Sequence, residues 1–364
     1  MKKIITLLMA SVAGLASAQQ GAPASPYYNN FNFEQNGTAL KNALAQKISA
    51  THTKNLSYAQ LKNALMIVDL DPEDATNTNL LMVYGFSNNL CPASPADDKD
   101  HRRRDKQFDD DGTAASCLWN REHTYPRALG NPDLGTSGPG SDAHHVRASD
   151  KKRNADRDND KFFDGSGNSF ESGSSWYPGD EWKGDIARMM MYMYLRYGNQ
   201  CLPKNVAVGE AVASDPNMPL LFLEWNAEDP VSLYEDKRNT YLGNAANQFG
   251  QGNRNPFIDN PYLATLIWGG PVAQDRWGIA GLEDQLLATL KVYPNPAVNN
   301  EVTIYSETEL DEIQLINLNG QLIQYIQHPK ANSNEYRLNN LPQGFYLLKV
   351  TADEKSTVQK IVVN

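Results

Sequence analysis

The chain has 364 residues, which exceeds a typical single domain and indicates two or three domains. Hydrophobic residues make up 40% of it, enough for sizeable cores, and the formal net charge is −10. This charge excludes a chain that attracts nucleic acid through its overall field, so any nucleic-acid site must be a local basic patch.

The N-terminus has the three parts of a secretory signal peptide. Lys2-Lys3 supplies positive charge, residues 4–15 form a short apolar segment, and Ala16-Ser17-Ala18 matches a cleavage site. We therefore predict that residues 1–18 are removed on export. No later segment reaches 18 continuous apolar residues, which predicts a mature chain without a membrane span.

The three cysteines suit an exported chain that holds one disulfide and leaves one thiol over. Cys91 and Cys117 bracket a charged loop, and we predict that they form the disulfide, with Cys201 free. A loop of about 27 residues closed in this way stabilises the chain by roughly 3.5 kcal/mol on the chain-entropy model.

Two helices and a strand are predicted before the charged loop. Apolar residues at helical spacing mark Gly37–Ser49 and Ser57–Ile67, with Ser57 as the N-cap of the second helix. Asn79–Phe86 is predicted as a short buried strand.

The central stretch predicts a strand, a loop, a second strand and a short helix. The strands are expected at Asn120–Tyr125 and Ala143–Ala148, with the glycine-rich loop Gly130–Ser141 between them. Asp150–Asp156 is the predicted helix, with Ser149 as its N-cap. This order is a ββα unit.

The rest of the chain changes from helical to β patterning. Gly184–Gly198 is predicted as a helix whose methionines pack in the core, and Leu220–Asn226 begins another. From Lys291 several short strands extend over about 75 residues, with Asn319-Gly320 as a hairpin turn, which suggests a small β-sandwich. The predicted fold class is α+β: a mainly helical domain at 19–285, followed by an all-β sandwich domain at 286–364.

The ββα unit carries the groups needed to hydrolyse a phosphodiester: a base, a cation site and phosphate-binding side chains. His123 can act as the base, and Glu122 and Asn154 offer oxygen ligands suited to Mg²⁺. The basic residues around them can bind phosphate; they are Arg147, Lys151, Lys152, Arg153 and Arg157. Each feature alone is more often structural, whereas the combination in ββα order is much more specific.

These residues resemble the bacterial endonuclease I family of His-Me finger (ββα-metal) nucleases. Within the finger the matching residues are Asn120-Arg121-Glu122-His123, Pro126, Asp142, His144, Asp150, Asn154, Asp156-Arg157 and Asn159. Farther along they are Gly184–Arg188, Tyr192-Met193, Trp225-Asn226, Asp229-Pro230-Val231, Glu235, Arg238-Asn239 and Gln251–Asp259. The resemblance covers roughly Tyr27 to Trp268.

The resemblance implies roles for individual residues. His123 is expected to be the general base, Glu122 and Asn154 the Mg²⁺ ligands, and Arg157 a further catalytic phosphate contact. Mn²⁺ or Ca²⁺ is expected to substitute for Mg²⁺ in binding. Arg121, Arg147 and Arg153 are further phosphate candidates, and His144 and Asn120 are expected to support the site. The chain departs from the family pattern at three positions, with His145 in place of Asn, Val146 in place of Leu and Ala148 in place of Pro.

The C-terminal residues resemble the type A sorting domain of type IX secretion. The residues that carry this resemblance are Val292–Pro296, Asn319-Gly320, Leu341-Pro342, Gly344, Tyr346 and Lys360–Val363. The resemblance implies export through the periplasm by the secretion machinery to the cell surface or the medium. A sandwich that binds carbohydrate or protein is the alternative interpretation of this region.

The predicted function is a secreted, monomeric, Mg²⁺-dependent and largely sequence-non-specific endonuclease of DNA, with RNA left open as a further substrate. The family resemblance implies products that carry 5′-phosphates. Two alternatives stay open: an extracellular ribonuclease with the same site, and a non-catalytic surface adhesin.

Overall fold

The computed structural model of the chain describes residues 24–85, 102–110, 112, 117–280, 290–317, 320–352 and 355–363. The predicted signal peptide, Cys91, most of the charged loop, the predicted domain boundary near 285 and Asn319 lie outside the described residues. The fold contains both helices and sheets, so the α+β class is confirmed.

Helices dominate the described residues up to 280. They are α1 (Gly37–Thr51), α2 (Tyr58–Val68), α3 (Lys151–Arg157), α4 (Lys183–Tyr197), α5 (Leu220–Glu228), α6 (Leu233–Leu242), α7 (Pro256–Asp259) and α8 (Tyr262–Trp268). Short strands join them: β1 (Asn79–Leu81), β2 (Arg103–Asp105), β3 (Trp119–His123), β4 (Val146–Asp150), β5 (Lys161–Phe162), β6 (Phe170–Ser172), β7 (Ser175–Tyr177), β8 (Ala211–Val212) and β9 (Asp215–Pro219).

Helix α4 forms the centre of this region. Twelve consecutive residues, Gly184 to Leu195, are buried, and the methionines lie in the hydrophobic core as predicted. Gly198 ends the helix with φ +55°, a conformation that glycine adopts without steric cost.

Helix α2 begins at the predicted N-cap, Ser57, which forms a capping box with Gln60. The Ser57 hydroxyl accepts from the Gln60 amide, and the Gln60 side chain accepts from the Ser57 amide. Two donors at the helix N-terminus are therefore satisfied, and the first residue of the helix, Tyr58, is held at a fixed position.

The central ββα unit is present, with shifted boundaries. β3 and β4 pair antiparallel with Glu122 opposite Arg147 and His123 opposite Val146, and α3 follows β4 directly. The predicted N-cap, Ser149, is wrong: Asp150 caps α3, because its carboxylate accepts from the amides of Lys152 and Arg153.

The C-terminal residues form one seven-stranded sheet. Its strands are β10 (Lys291–Val298), β11 (Glu301–Tyr305), β12 (Glu312–Asn317), β13 (Leu322–Gln327), β14 (Glu335–Leu338), β15 (Gly344–Ala352) and β16 (Lys355–Val363), in the order β13-β12-β15-β16-β10-β11-β14.

The predicted pair of stacked sheets is corrected to a single sheet that curls around its own core. β10 joins the two halves, because its first residues pair with β11 and its Ala297 pairs with Val363 of β16. The register of β10 shifts between Tyr293 and Val298, which lets one strand serve both halves.

Cys117 is disulfide-bonded and Cys201 is a free, buried thiol. Both states agree with the prediction, and the predicted partner, Cys91, lies outside the described residues. No helix among the described residues has the length and apolar character needed to cross a membrane.

Candidate active site

A cavity of about 430 Å³ opens where β3, the turn after it and α3 meet. It is lined by Tyr58, Arg121, Glu122, His123, Pro126, Arg127, Ala128, Asp133, Asn154, Ala155, Asp158 and Asn159. The predicted base and both predicted metal ligands therefore share one cavity.

His123 is held in one tautomer by the backbone of the glycine-rich loop. Its Nε2 lies 2.9 Å from the Gly140 carbonyl oxygen, and a carbonyl can only accept, so Nε2 carries the proton. Nδ1 is then the acceptor nitrogen. Burial and, to a smaller extent, the nearby His145 together lower the pKa of His123 to about 3, so the imidazole is neutral at neutral pH.

The position of Gly140 depends on its lack of a side chain. A Cβ at this residue would collide with the backbone carbonyl of Gly135, which belongs to the same loop. The loop therefore closes on itself tightly enough to bring the Gly140 oxygen to His123 only with glycine at this position.

Glu122 is almost fully buried, at 3% exposure, and two groups fix its carboxylate. The Tyr84 hydroxyl donates to Oε1 at 3.0 Å, and Arg157 Nη1 lies 3.2 Å from the same oxygen. Burial raises the pKa of Glu122, and Arg157 and Tyr84 oppose that rise. Tyr84 is held at φ +72°, which is rare for a bulky residue and places its ring beside the site.

Asn154 presents an oxygen to the cavity. Its Nδ2 donates to Asn120 Oδ1 at 2.7 Å and to the Arg121 carbonyl at 3.2 Å. Both amide hydrogens are thereby used, which orients Oδ1 as the acceptor. Asn120 thus lies in the supporting position that the sequence indicates.

The residues in the cavity fit Mg²⁺. This ion takes hard oxygen ligands, often one or two from the protein, and retains several waters. Glu122 supplies a carboxylate, Asn154 supplies an oriented carboxamide oxygen, and the cavity leaves room for water and a phosphate. Two protein ligands of this type suit Mg²⁺ better than a soft metal.

Two arginines line the cavity, Arg121 and Arg127. Arg121 was a phosphate candidate in the sequence; its Nη1 donates to the Tyr58 carbonyl at 2.6 Å, and its guanidinium carbon lies 3.8 Å from the Tyr58 ring centroid. Arg127 is exposed and was missed. The sequence feature that could have identified Arg127 is its position directly after Pro126, one of the residues that carry the family resemblance.

The structure places two other phosphate candidates away from the cavity. Arg147 is fully buried and pairs with Asp185 at 3.0 Å, so a phosphate cannot reach it in this arrangement. Arg153 donates to Ser169, its guanidinium carbon lies 4.6 Å from the Trp176 ring centroid, and it is not among the residues that line the cavity. We therefore remove both from the phosphate-binding set.

Arg157 lies under the site rather than in it. It is fully buried, and besides Glu122 it donates to the His123 carbonyl at 3.2 Å and to the Thr124 carbonyl at 2.9 Å. The predicted phosphate contact does not fit this placement, since the guanidinium is occupied by the strand that carries the base. Arg157 positions Glu122 and His123.

His144 and His145 are both buried, but they have different neighbours. His144 Nε2 lies 2.9 Å from the Asn253 carbonyl oxygen, and its ring packs against Tyr192. His145 Nε2 lies 2.7 Å from the Pro139 carbonyl oxygen, and its ring centroid is 5.7 Å from that of His123. His145, where the chain departs from the family pattern, therefore packs beside the proposed base, His123.

Comparison with known proteins identifies the fold that holds this cavity. The Endonuclease I family model matches residues 36–262, which include every residue of the cavity. The chain belongs to the endonuclease I family. A second model, the secretion system C-terminal sorting domain, matches residues 291–364, which contain the curled sheet.

Curated relatives of this endonuclease I protein carry extracellular ribonuclease as their name. The one from Bacillus amyloliquefaciens is 38% identical over 259 residues, which cover 68% of this chain and 79% of the relative. The one from Bacillus subtilis (strain 168) is 37% identical over 265 residues, which cover 68% and 82%. Ulvan lyase NLR42 of Nonlabens ulvanivorans is 27% identical over 96 residues, which cover 25% of this chain and 18% of that protein.

The family and the sorting domain together establish the broad character of this endonuclease I protein. It is a nuclease, a hydrolase of phosphodiester bonds, that is secreted or held at the cell surface. The sorting domain implies interaction with the secretion machinery, as the sequence predicted.

Proposed function

We propose that the chain is a Mg²⁺-dependent, largely sequence-non-specific endonuclease that cleaves DNA and RNA through a His-Me finger formed by β3, β4 and α3. The observation that supports this proposal most strongly is the fixed tautomer of His123. Its Nε2–H is bound to Gly140, which leaves Nδ1 as a base in the cavity that also holds Glu122 and Asn154.

In the proposed reaction His123 Nδ1 accepts a proton from a water whose oxygen attacks phosphorus in line with the departing 3′-oxygen. The P–O3′ bond breaks and the departing 3′-oxygen takes a proton from solvent water, which leaves a 5′-phosphate and a 3′-hydroxyl. Glu122 and Asn154 would hold Mg²⁺, which would supply positive charge to the phosphate and the departing oxygen. Arg121 and Arg127 line the cavity and bind the flanking phosphates.

Other side chains keep this geometry in place. Arg157 bonds the carbonyls of His123 and Thr124 as well as Glu122, so one guanidinium fixes the base and the carboxylate together. Asn120 holds the amide of Asn154. These contacts fix the reacting groups before substrate binds, which is where much of the rate enhancement arises in such sites.

RNA is included in the proposed substrates because the two bacterial relatives are named extracellular ribonucleases. Backbone contacts dominate the proposed binding, so base sequence matters little and affinity falls steeply as salt rises. The acidic chain binds through the cavity rather than through its overall charge.

Incubation of the purified mature protein with supercoiled plasmid and with RNA, each with Mg²⁺ or with EDTA, tests the proposal. We expect Mg²⁺-dependent cleavage of both polymers and a loss of at least 10²-fold in rate for His123→Ala, since a general base contributes this much. His328→Ala in the sorting domain is the matched control, because His328 is exposed and lies far along the chain from the cavity.

Three outcomes would contradict parts of the proposal. Intact plasmid and RNA with either Mg²⁺ or Mn²⁺ would favour the non-catalytic adhesin. Equal activity of His123→Ala and wild type would overturn the role of the base. Cleavage of RNA alone would restrict the substrate to RNA.

A further inference from the structure

A second cavity of about 240 Å³ lies beside the proposed active site. It is lined by Tyr58, Lys62, Asp110, Trp119, Asn120 and Arg121. Tyr58 and Arg121 line both cavities, so the second one begins where the first ends. Because the two cavities adjoin, a polynucleotide bound at Glu122 and His123 can place a neighbouring nucleotide in the second one.

Arg121 is held rigidly at the junction of the two cavities. Its guanidinium stacks on the Tyr58 ring at 3.8 Å and donates to the Tyr58 carbonyl at 2.6 Å. The Tyr58 ring also lies nearly parallel to the His123 ring, at 16° and 5.9 Å between centroids. Because α2 begins at a capping box, Tyr58 has little freedom to move away.

The charges around the second cavity do not favour a phosphate inside it. Lys62 forms an ion pair with Asp109, and Lys151 lies 2.9 Å from Asp110. Each ammonium group is therefore matched by a carboxylate, and the Asp110 charge repels a phosphate. Arg121 alone faces the junction without a carboxylate partner among the described ion pairs.

The remaining lining groups are those that recognise an uncharged, flat, polar ligand. Tyr58 contributes aromatic surface, and Asn120 contributes a carboxamide, while the fully buried Trp119 forms the floor under them. Asn120 Oδ1 accepts from Asn154, which leaves its Nδ2 to donate to a ligand. Aromatic rings and amide groups together are how proteins bind unstacked nucleobases.

We propose that the second cavity binds the nucleobase of the nucleotide next to the scissile phosphate, with Tyr58 as the aromatic contact and Arg121 on the phosphate between the two cavities. This inference rests on the proposed function. A base in this cavity has left its stack, so single strands and RNA loops are cut faster than a continuous duplex.

Single-stranded DNA of defined sequence, with one nucleotide replaced by an abasic site, tests the inference. The rate at each linkage is read from a sequencing gel, with Mg²⁺ and with EDTA. For wild type we expect cleavage at one linkage flanking the abasic site to be about 5- to 50-fold slower than at the same linkage in the intact strand.

The protein variants locate the effect at Tyr58. In Tyr58→Leu the ratio of the intact to the abasic rate is expected to fall to near one, and in Tyr58→Phe, which keeps the ring, it is expected to stay high. Phe170→Leu is the matched control, since Phe170 is a partly exposed ring in β6, away from both cavities.

The outcomes separate this inference from the proposed function. Equal rates on intact and abasic strands at both flanking linkages, or a wild-type ratio in Tyr58→Leu, would overturn the base site while cleavage itself persists. An absence of Mg²⁺-dependent cleavage of every strand by wild type would instead remove the proposed function.

Discussion

The endonuclease I domain and the sorting domain have opposite kinds of interior. Five of the largest fully buried side chains in the nuclease domain are arginines: Arg104, Arg147, Arg157, Arg188 and Arg238. Among the described residues of the sorting domain the buried polar side chains are Ser306 and Thr357, and Arg337 is exposed. The sorting domain instead packs aliphatic side chains from alternate positions of its strands.

The difference shows what each interior does. Buried ion pairs are costly to desolvate, so a core that contains several of them is not the most stable one available. In the nuclease domain these pairs connect α4, α6 and the ββα unit, as Arg147 does with Asp185 and Arg188 with Glu235. One of them ends at Glu122, so the charged interior orients the reactive groups.

The largest expected effect comes from Arg157→Met, which leaves Glu122 and two carbonyl oxygens buried without their partner. We expect the free energy of unfolding of the nuclease domain to fall by about 3–5 kcal/mol. All six tryptophans lie before the sorting domain, so tryptophan fluorescence during urea titration follows this domain alone.

Arg337→Met is the matched control in the sorting domain. Its guanidinium is 63% exposed and lies 3.8 Å from Glu301, so we expect a change below about 0.5 kcal/mol by circular dichroism. Similar losses in the two variants would show that the two interiors do not differ as described.

Gly140→Ala should have the next largest effect, because the added methyl collides with the Gly135 carbonyl. Overpacking of this kind costs about 1–3 kcal/mol, and movement of the loop should also remove the acceptor for His123 Nε2. We expect Mg²⁺-dependent cleavage to fall at least tenfold. Ser137→Ala, at an exposed position in the same loop, should leave both stability and rate unchanged; an active Gly140→Ala would contradict the role of the carbonyl.

His145→Asn should reduce the acid sensitivity of the nuclease domain. Burial lowers the folded-state pKa of His145 to about 4, below the unfolded value near 6.5. As pH falls from 7 to 5 the unfolded chain binds the proton and the folded chain does not, so stability is lost. Wild type should therefore lose roughly 2 kcal/mol more than His145→Asn over this range in EDTA.

His328→Asn in the exposed sorting-domain position serves as the control for this pH series. The raised pKa values of Glu122 and Asp185 act in the opposite direction, since these carboxyls take up protons first in the folded state. Both groups are present in wild type and variant, so the difference between the two isolates His145. Parallel pH curves would contradict a neutral, buried His145.

Tyr84→Phe should have the smallest of these effects and should act on the metal. Its hydroxyl donates to Glu122 Oε1 at 3.0 Å, and loss of a group that orients a ligand weakens metal binding by about 10- to 100-fold. We expect the Mg²⁺ concentration for half-maximal cleavage to rise about tenfold. Tyr125→Phe, whose hydroxyl donates to Leu202 instead, should not change it.

The sequence predicted the parts of the site that depend on local order. Glu122 and His123 are adjacent on one strand, and Asn154 lies on the helix that follows the next strand, so the ββα order alone brings them close. The N-cap at Ser57 and the buried methionines of α4 are likewise local features, and the structure agrees with both.

Features that depend on distant partners were not predictable. Arg147 was predicted as a phosphate ligand because it lies between two predicted site elements. Instead it forms an ion pair with Asp185, which is 38 residues farther along the chain. Arg157 likewise donates to the backbone carbonyls of His123, the last residue of β3, and Thr124, which follows it. These bonds occupy the guanidinium that was expected to bind phosphate. Ser149 and Asp150 are both good N-caps by residue type, and only the backbone geometry selects Asp150.

The orientation of His123 by the Gly140 carbonyl has an evolutionary consequence. Since the acceptor is a backbone atom, exposed positions of the loop are free to vary while the proton stays on Nε2, whereas a side chain added at Gly140 itself would displace it. The most constrained residue of the loop is then one that contributes no side chain at all. Robustness of the base to mutation is built into the main chain.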